Sequence, residues 1–272
     1  MKKKFKEFIQ HNRWLKAVPN ALTLCNSLCG FVAIVYTLQV YENPRDEIDV
    51  FAVSAWIIIF AMVFDALDGF AARLFNAASM HGVQMDSLSD MVTFGVAPAT
   101  IAAIMTHCLR AEMTYWQNLM TYIFCGIYLG CAALRLATYN VHAILEKKSS
   151  EKFSGLPSPG GAAALCSVVL FFQRPPTELA HIHPGFIMPV YAALLGLLMV
   201  SNIPYPHMGK WFFSIRRNKK RLALFVLALA ILFAFRIHGV VALVNLYILS
   251  GPAIALYQLL RPHFIRRRIA VE

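Results

Sequence analysis

Charge is scarce in this chain, and acid is scarcer than base. Only 14% of its 272 residues are Asp, Glu, Lys or Arg, where a soluble domain carries about a quarter. Long polar stretches are missing as well, so no sizeable soluble domain fits anywhere along the sequence. Cysteine pairs with metal or redox spacing are absent. Cys25, Cys29, Cys108, Cys125, Cys131 and Cys166 form no Cys-x-x-Cys, and most lie in apolar runs, where a thiol is a small buried hydrophobe. The nine histidines have no ligand spacing. Lys2, Lys3 and Lys4 are not followed by a short apolar stretch with a small-residue cleavage site, so a secretory leader is not expected. No internal repeat is evident.

Hydrophobic residues are plentiful, at 58%. They recur in long runs from one end to the other, which points to an all-α, polytopic membrane helix bundle. Eight spans are expected: Asn20 to Tyr41, Val50 to Phe75, Val83 to His107, Gln117 to Val141, Gly160 to Gln173, His183 to Val200, Leu222 to Ile237 and Gly239 to Leu260. The whole chain, 1–272, reads as one integral-membrane domain. A net charge of +11 would suit nucleic acid, but the basic residues cluster between apolar runs, as topology signals do. One side collects Lys2, Lys3, Lys4, Lys6, Arg13 and Lys16, then Lys147, Lys148 and Lys152, then the 210–221 cluster and the tail beyond Arg261. The positive-inside rule places both termini, and the turn 76–82, in the cytoplasm.

Against this background four aspartates stand out. Asp65 and Asp68 are three apart, and Asp86 and Asp90 four apart. Each spacing puts both carboxylates on one helix face. A carboxylate at mid-bilayer costs roughly 2.5–3.5 kcal/mol on insertion scales. Four together call for a compensating partner, and a divalent cation is the obvious one, because hard cations prefer carboxylate oxygen.

The full pattern is Asp65, Asp68, Gly69, Ala72, Arg73, Gly82, Asp86 and Asp90. It reads Asp-x-x-Asp-Gly-x-x-Ala-Arg, eight residues, Gly, three residues, Asp, three residues, Asp. This resembles, without departure, the signature of the CDP-alcohol phosphotransferases, integral membrane enzymes of phospholipid synthesis. The resemblance implies Mg²⁺ or Mn²⁺ on Asp65, Asp68 and Asp86. It implies Asp90 as the general base, also touching a metal. A CDP-lipid site is expected from Asn20, Thr23, Asp65, Asp68, Gly69, Ala72, Arg73 and Gly82. Gly69 clears space for the nucleotide, and Arg73 offers a planar fork to a phosphate. Gly82 is expected to end the turn and let the second and third spans approach. Pro19-Asn20-x-x-Thr23-x-x-Asn26 resembles the family's first-helix opening, which lines the nucleotide site. Asn20 also reads as a helix cap and Asn26 as an interhelical hydrogen bond. A homodimer and a cytoplasmic-membrane location follow from the same resemblance.

Segments 86–99, 133–137, 155–159 and 201–206 resemble the branch of the family that transfers a phosphatidyl group from CDP-diacylglycerol to L-serine. Serine needs one cation for its carboxylate and acceptors for its ammonium. Arg135 with Ser87, Ser89, Thr93 and Ser158 would suit it; Arg135 also reads as an arginine snorkelling to the interface. Two alternatives stay open. One keeps the chemistry and changes the acceptor to glycerol 3-phosphate or an inositol compound. The other is a divalent-cation or proton transporter with aspartates along its path.

Overall fold

The computed structural model describes residues 13–42, 47–75, 79–110, 113–145, 155–173, 184–205, 237–258 and 260. Among them there are helices and no β-strands. Helix α1 is Arg13–Leu38, prolonged by a 3-10 turn at Gln39–Tyr41, and α2 is Glu47–Leu74. Helix α3 is continuous over Met80–Cys108. Helices α4, α5 and α6 are Tyr115–Leu145, Ser158–Gln173 and Pro184–Val200. Helix α7 is Ile237–Gln258.

Five of these, α1 to α4 and α7, are long and apolar enough to cross a membrane. The chain is a multi-pass membrane protein. Its outer face is apolar: Leu28, Phe60 and Leu134 are 59%, 57% and 60% exposed. Such a face is stable against lipid and not against water. The expected fifth and sixth spans correspond to the shorter α5 and α6, of 16 and 17 residues. The expected span Leu222 to Ile237 lies outside the described residues except at its last position. Most of the helices begin earlier than expected, and at two of them the local reason is visible. Ser79 caps α3, its Oγ accepting from the Gly82 amide at 3.0 Å. In α5, Pro159 falls in the first turn, where a missing N–H costs nothing.

Helices α1 and α2 pack along each other, α4 packs on α6, and α2 packs on α5. Helix α3 runs through the middle and touches α1, α2, α4, α5 and α6. It is not uniform. An α section, Met80–Asp90, leads into a π turn, Met91–Val96, and then into a second α section, Ala97–Cys108. The cause is legible in Pro98. A proline lacks an N–H and its ring collides with the carbonyl four residues back, here that of Phe94. Widening the ladder to i→i+5 relieves both, and Ala97 N–H accordingly bonds the Val92 carbonyl. The wide turn is gripped on both sides. Thr93 Oγ1 donates to the Asn26 carbonyl of α1 at 2.9 Å, and Tyr128 Oη of α4 donates to the Phe94 carbonyl at 2.8 Å.

Gly30 of α1 allows this close packing. A Cβ there would sit 2.6 Å from Thr93 Oγ1 and 2.8 Å from Thr93 Cα. The second contact is with backbone, so no rotamer removes it. Gly30→Ala should therefore lower the unfolding free energy by about 1–3 kcal/mol, as overpacking does. Thermal unfolding of the purified protein checks this, and an unchanged midpoint would mean that α1 and α3 are not in contact here.

Candidate active site

The four signature aspartates come from two helix ends. Asp65 and Asp68 lie two turns from the end of α2, and Asp86 and Asp90 lie in the first section of α3. That section packs on α1 and α4, not closely on α2. The carboxylates thus converge across a gap between α2 and α3, with α1 lining it. One oxygen each from Asp65, Asp68 and Asp86 lies within 4.8 Å of the other two. Asp90 faces the same cluster, close enough to interact electrostatically with all three.

Helix α1 holds the carboxylates in place through two residues, and each does two things. The Thr23 hydroxyl lies 2.8 Å from Asp68 Oδ2 and 3.0 Å from its own helix's Pro19 carbonyl. It has one proton, and the charged acceptor takes it, because charge-assisted bonds are the stronger. The Thr23 carbonyl in turn accepts from Ser89 Oγ at 2.8 Å. One turn on, Asn26 Nδ2 donates to Asp90 Oδ1 at 3.2 Å, while the Asn26 carbonyl accepts from Thr93. Thr23, Asn26, Ser89 and Thr93 are all buried. Of the two readings of Asn26, the interhelical bond is the one observed, and it falls on the aspartate assigned as base.

The donor set fits a hard divalent cation. Asp86 Oδ1 is buried and has no hydrogen-bond partner, which is costly for a charged oxygen unless something else binds it. Two like charges about 4 Å apart repel by about 4 kcal/mol at an effective dielectric near 20. The donors on Asp68 and Asp90 are neutral hydroxyl and amide groups, and they do not offset several such pairs. Carboxylate oxygens alone, converging from two helices, are the ligands that Mg²⁺ and Mn²⁺ take.

The remaining expected residues divide into four groups. Gly69 is exposed, and a Cβ there would meet nothing within 4 Å, so this side of α2 is open. Arg73 lies on that open side, its Nε donating to the Gly69 carbonyl at 2.9 Å, and Ala72 is half-buried beside it. Asn20 and Gly82 are neighbours: a Cβ on Gly82 would come 3.7 Å from Asn20 Oδ1. This corrects one expectation. Gly82 faces α1, not α2: Asn20 of α1 is the neighbour that a Cβ there would approach. Ser87 Oγ donates to Asn140 Oδ1 of α4 at 2.8 Å. Ser89 and Thr93 give their protons to α1 carbonyls, so they tie helices together at this point.

Arg135 and Ser158 belong to a second junction, formed by α4, α5 and the end of α6. Arg135 Nη1 donates to the Met199 carbonyl at 3.0 Å. Gly155 and Leu156 amides donate to the Ile203 and Leu198 carbonyls at 2.8 and 2.9 Å. Gly155 has φ +91°, and a Cβ there would press on backbone oxygen, so only glycine makes the turn. Ser158 Oγ is buried without a partner. A cavity of about 270 Å³ beside Arg110 and Trp116 opens at the other end of the bundle, between α4 and α6, away from the aspartates.

A model of the CDP-alcohol phosphatidyltransferase family matches residues 16–201. The chain is 35% identical over 199 residues to a CDP-diacylglycerol–serine O-phosphatidyltransferase of Bacillus subtilis, covering 71% of this chain and 92% of that one. It is 31% identical over 235 residues to the Methanocaldococcus jannaschii protein of the same name, covering 84% and 95%. A Helicobacter pylori protein of that name is 28% identical over 233 residues, covering 86% and 88%. The chain belongs to the CDP-alcohol phosphatidyltransferase family and is an enzyme, which sets the transporter alternative aside.

Thr23→Val keeps the shape of the side chain and removes the donor to Asp68. The expected loss is roughly 1.5–3 kcal/mol, the range for a hydrogen bond to a charged group. Thr23→Ser, which retains the hydroxyl, should lose much less. Denaturant unfolding of both variants decides the matter, and equal losses would show that the hydroxyl is not what holds Asp68.

Proposed function

On the premise of this family membership, we propose that the chain transfers the phosphatidyl group of CDP-diacylglycerol to the hydroxyl of L-serine, giving phosphatidylserine and CMP. The observation that carries the reading is the convergence of Asp65, Asp68 and Asp86 within 4.8 Å, on a chain similar over most of its length to enzymes named for that reaction. In the reaction the serine oxygen forms a bond to the lipid-side phosphorus, the bond to the CMP oxygen breaks, and the hydroxyl proton leaves.

Asp65, Asp68 and Asp86 would hold Mg²⁺ or Mn²⁺, with Asp90 at its edge. The bound cation supplies charge neutralisation at the pyrophosphate. Asp90 takes the hydroxyl proton. Asn26 aims it, fixing one carboxylate oxygen and leaving the other for the acceptor. Asn20, Thr23 and Gly82 border the nucleotide on the α1 side. Gly69 and Ala72 leave the α2 face clear, and Arg73 swings its guanidinium from its own helix to a phosphate. The acceptor is placed by Arg135, Ser87 and Ser158, with Ser89 and Thr93 holding α3 beside it. Ser158 supports this assignment because its buried hydroxyl has no partner of its own.

The basic clusters support both termini in the cytoplasm and an active site open to that side of the inner membrane. The whole of 1–272 forms one domain on this reading and works as a homodimer.

Purified protein, CDP-diacylglycerol and a panel of alcohols test the assignment. CMP should appear with serine and a divalent cation, and not with glycerol 3-phosphate or inositol compounds. Undiminished CMP release after exhaustive chelation would remove the metal from the reading.

Asp90→Asn should lower turnover by about 10²–10⁴, the usual range for loss of a general base. CDP-lipid binding should survive better in this variant than in Asp68→Asn. Equal losses of lipid affinity in the two would refute the division of labour between base and metal ligands.

A further inference from the structure

The π turn of α3 begins at the residue after Asp90. Relative to an unbroken α-helix it inserts one residue, and one residue is about 100° of rotation. The section that carries Asp86 and Asp90 is therefore turned relative to the section buried in the bundle. Both faces are committed. The buried section places Ala97, Ile101, Ala102 and Met105 in the core, and the other must place its aspartates opposite Asp65 and Asp68. A regular helix would satisfy one of these and not the other.

Something must keep the turn wide. Pro98 removes the N–H that would close the ladder on the Phe94 carbonyl. The replacement donor is the hydroxyl of Tyr128, at 2.8 Å. Tyr128 is wholly buried. Glycines on two other helices border it, Gly196 tight against its backbone and Gly161 at ordinary contact distance from its ring. A Cβ on Gly196 of α6 would lie 2.7 Å from Tyr128 Cα, and one on Gly161 of α5 would lie 3.6 Å from Tyr128 Oη. A bulky phenol is thus seated among three helices with its one proton aimed at one carbonyl.

We propose that Tyr128 is a positioning residue for the carboxylate centre: its hydroxyl stabilises the π turn, and the π turn sets Asp86 and Asp90 against Asp65 and Asp68. The proposal rests on the reading of those carboxylates as a metal-binding catalytic centre. Tyr128 acts through the helix backbone. Thr93, bonded to the Asn26 carbonyl, grips the same turn from α1.

The test compares Tyr128→Phe with Tyr191→Phe in the full-length protein. Tyr191 is a suitable control because its hydroxyl also makes one hydrogen bond, to Asn245 at 2.6 Å, on α7 and away from the π turn. Mn²⁺ binding is read by electron paramagnetic resonance, stability by thermal unfolding, and turnover by CMP release. In Tyr128→Phe the Mn²⁺ dissociation constant should rise roughly 10-fold, as it does when a group supporting metal ligands is lost. Turnover at saturating Mn²⁺ and substrates should fall about 10-fold or more, as for a small misplacement of reacting groups. Tyr191→Phe should lose stability but bind Mn²⁺ and turn over as the parent does. Parental Mn²⁺ binding in Tyr128→Phe would overturn the proposal, and so would equal weakening in Tyr191→Phe, which would mean general loosening. If Tyr128→Phe does not fold, Thr93→Val carries the same expectation and the same refutation from the α1 side. A parent that binds Mn²⁺ but releases no CMP would sink the proposed reaction. The Mn²⁺ comparison would then still decide the role of Tyr128.

Discussion

Mutual repulsion among carboxylates in an apolar bundle is the constraint that the rest of this structure answers. Four aspartates on two helices would separate if nothing opposed them. The opposition comes mainly from α1, through the neutral side chains of Thr23 and Asn26. Thr23 and Asn26 each bind an aspartate with the side chain and an α3 hydroxyl with the carbonyl. Each residue therefore fixes both a carboxylate and the helix opposite it. The neutral donors leave Asp86 Oδ1 without a partner, so the centre keeps an unsatisfied affinity for a cation.

Much of this is legible in the amino-acid sequence. The spacing of Asp65, Asp68, Asp86 and Asp90 alone implies two carboxylate pairs on helix faces, and the fold joins them. The polar series Asn20, Thr23 and Asn26 is also readable, since three polar groups on one side of an apolar helix need partners. Which partners they have is not readable, because contacts 45 and 64 residues apart leave no local trace. The same limit explains Gly82: its small size is evident, but not that α1 is the helix that comes near. Pro98 is in plain view as a ladder breaker. Its consequence, a π turn instead of a kink, depends on a tyrosine thirty residues later with its hydroxyl in the right place.

Ser89 and Thr93 illustrate a different difficulty. Small hydroxyl residues beside an active-site motif look like substrate ligands, yet the same side chains suit the closest approach of two helices. Buried in an apolar bundle, such a hydroxyl finds the nearest carbonyl first. Ser158 differs because its hydroxyl is equally buried and still unpartnered. Polarity and position along the chain do not separate these cases; the hydrogen bonds do.

The brevity of α5 has a consequence for the backbone that enters it. Sixteen residues of helix span about 24 Å, short of the roughly 30 Å of a bilayer's hydrocarbon core. The backbone that leads into α5 must therefore satisfy itself within the protein. It does so through the Gly155 and Leu156 amides on the end of α6. The entry to α5 is thereby closed by the protein's own carbonyls, and neither lipid nor water has to reach those two amides.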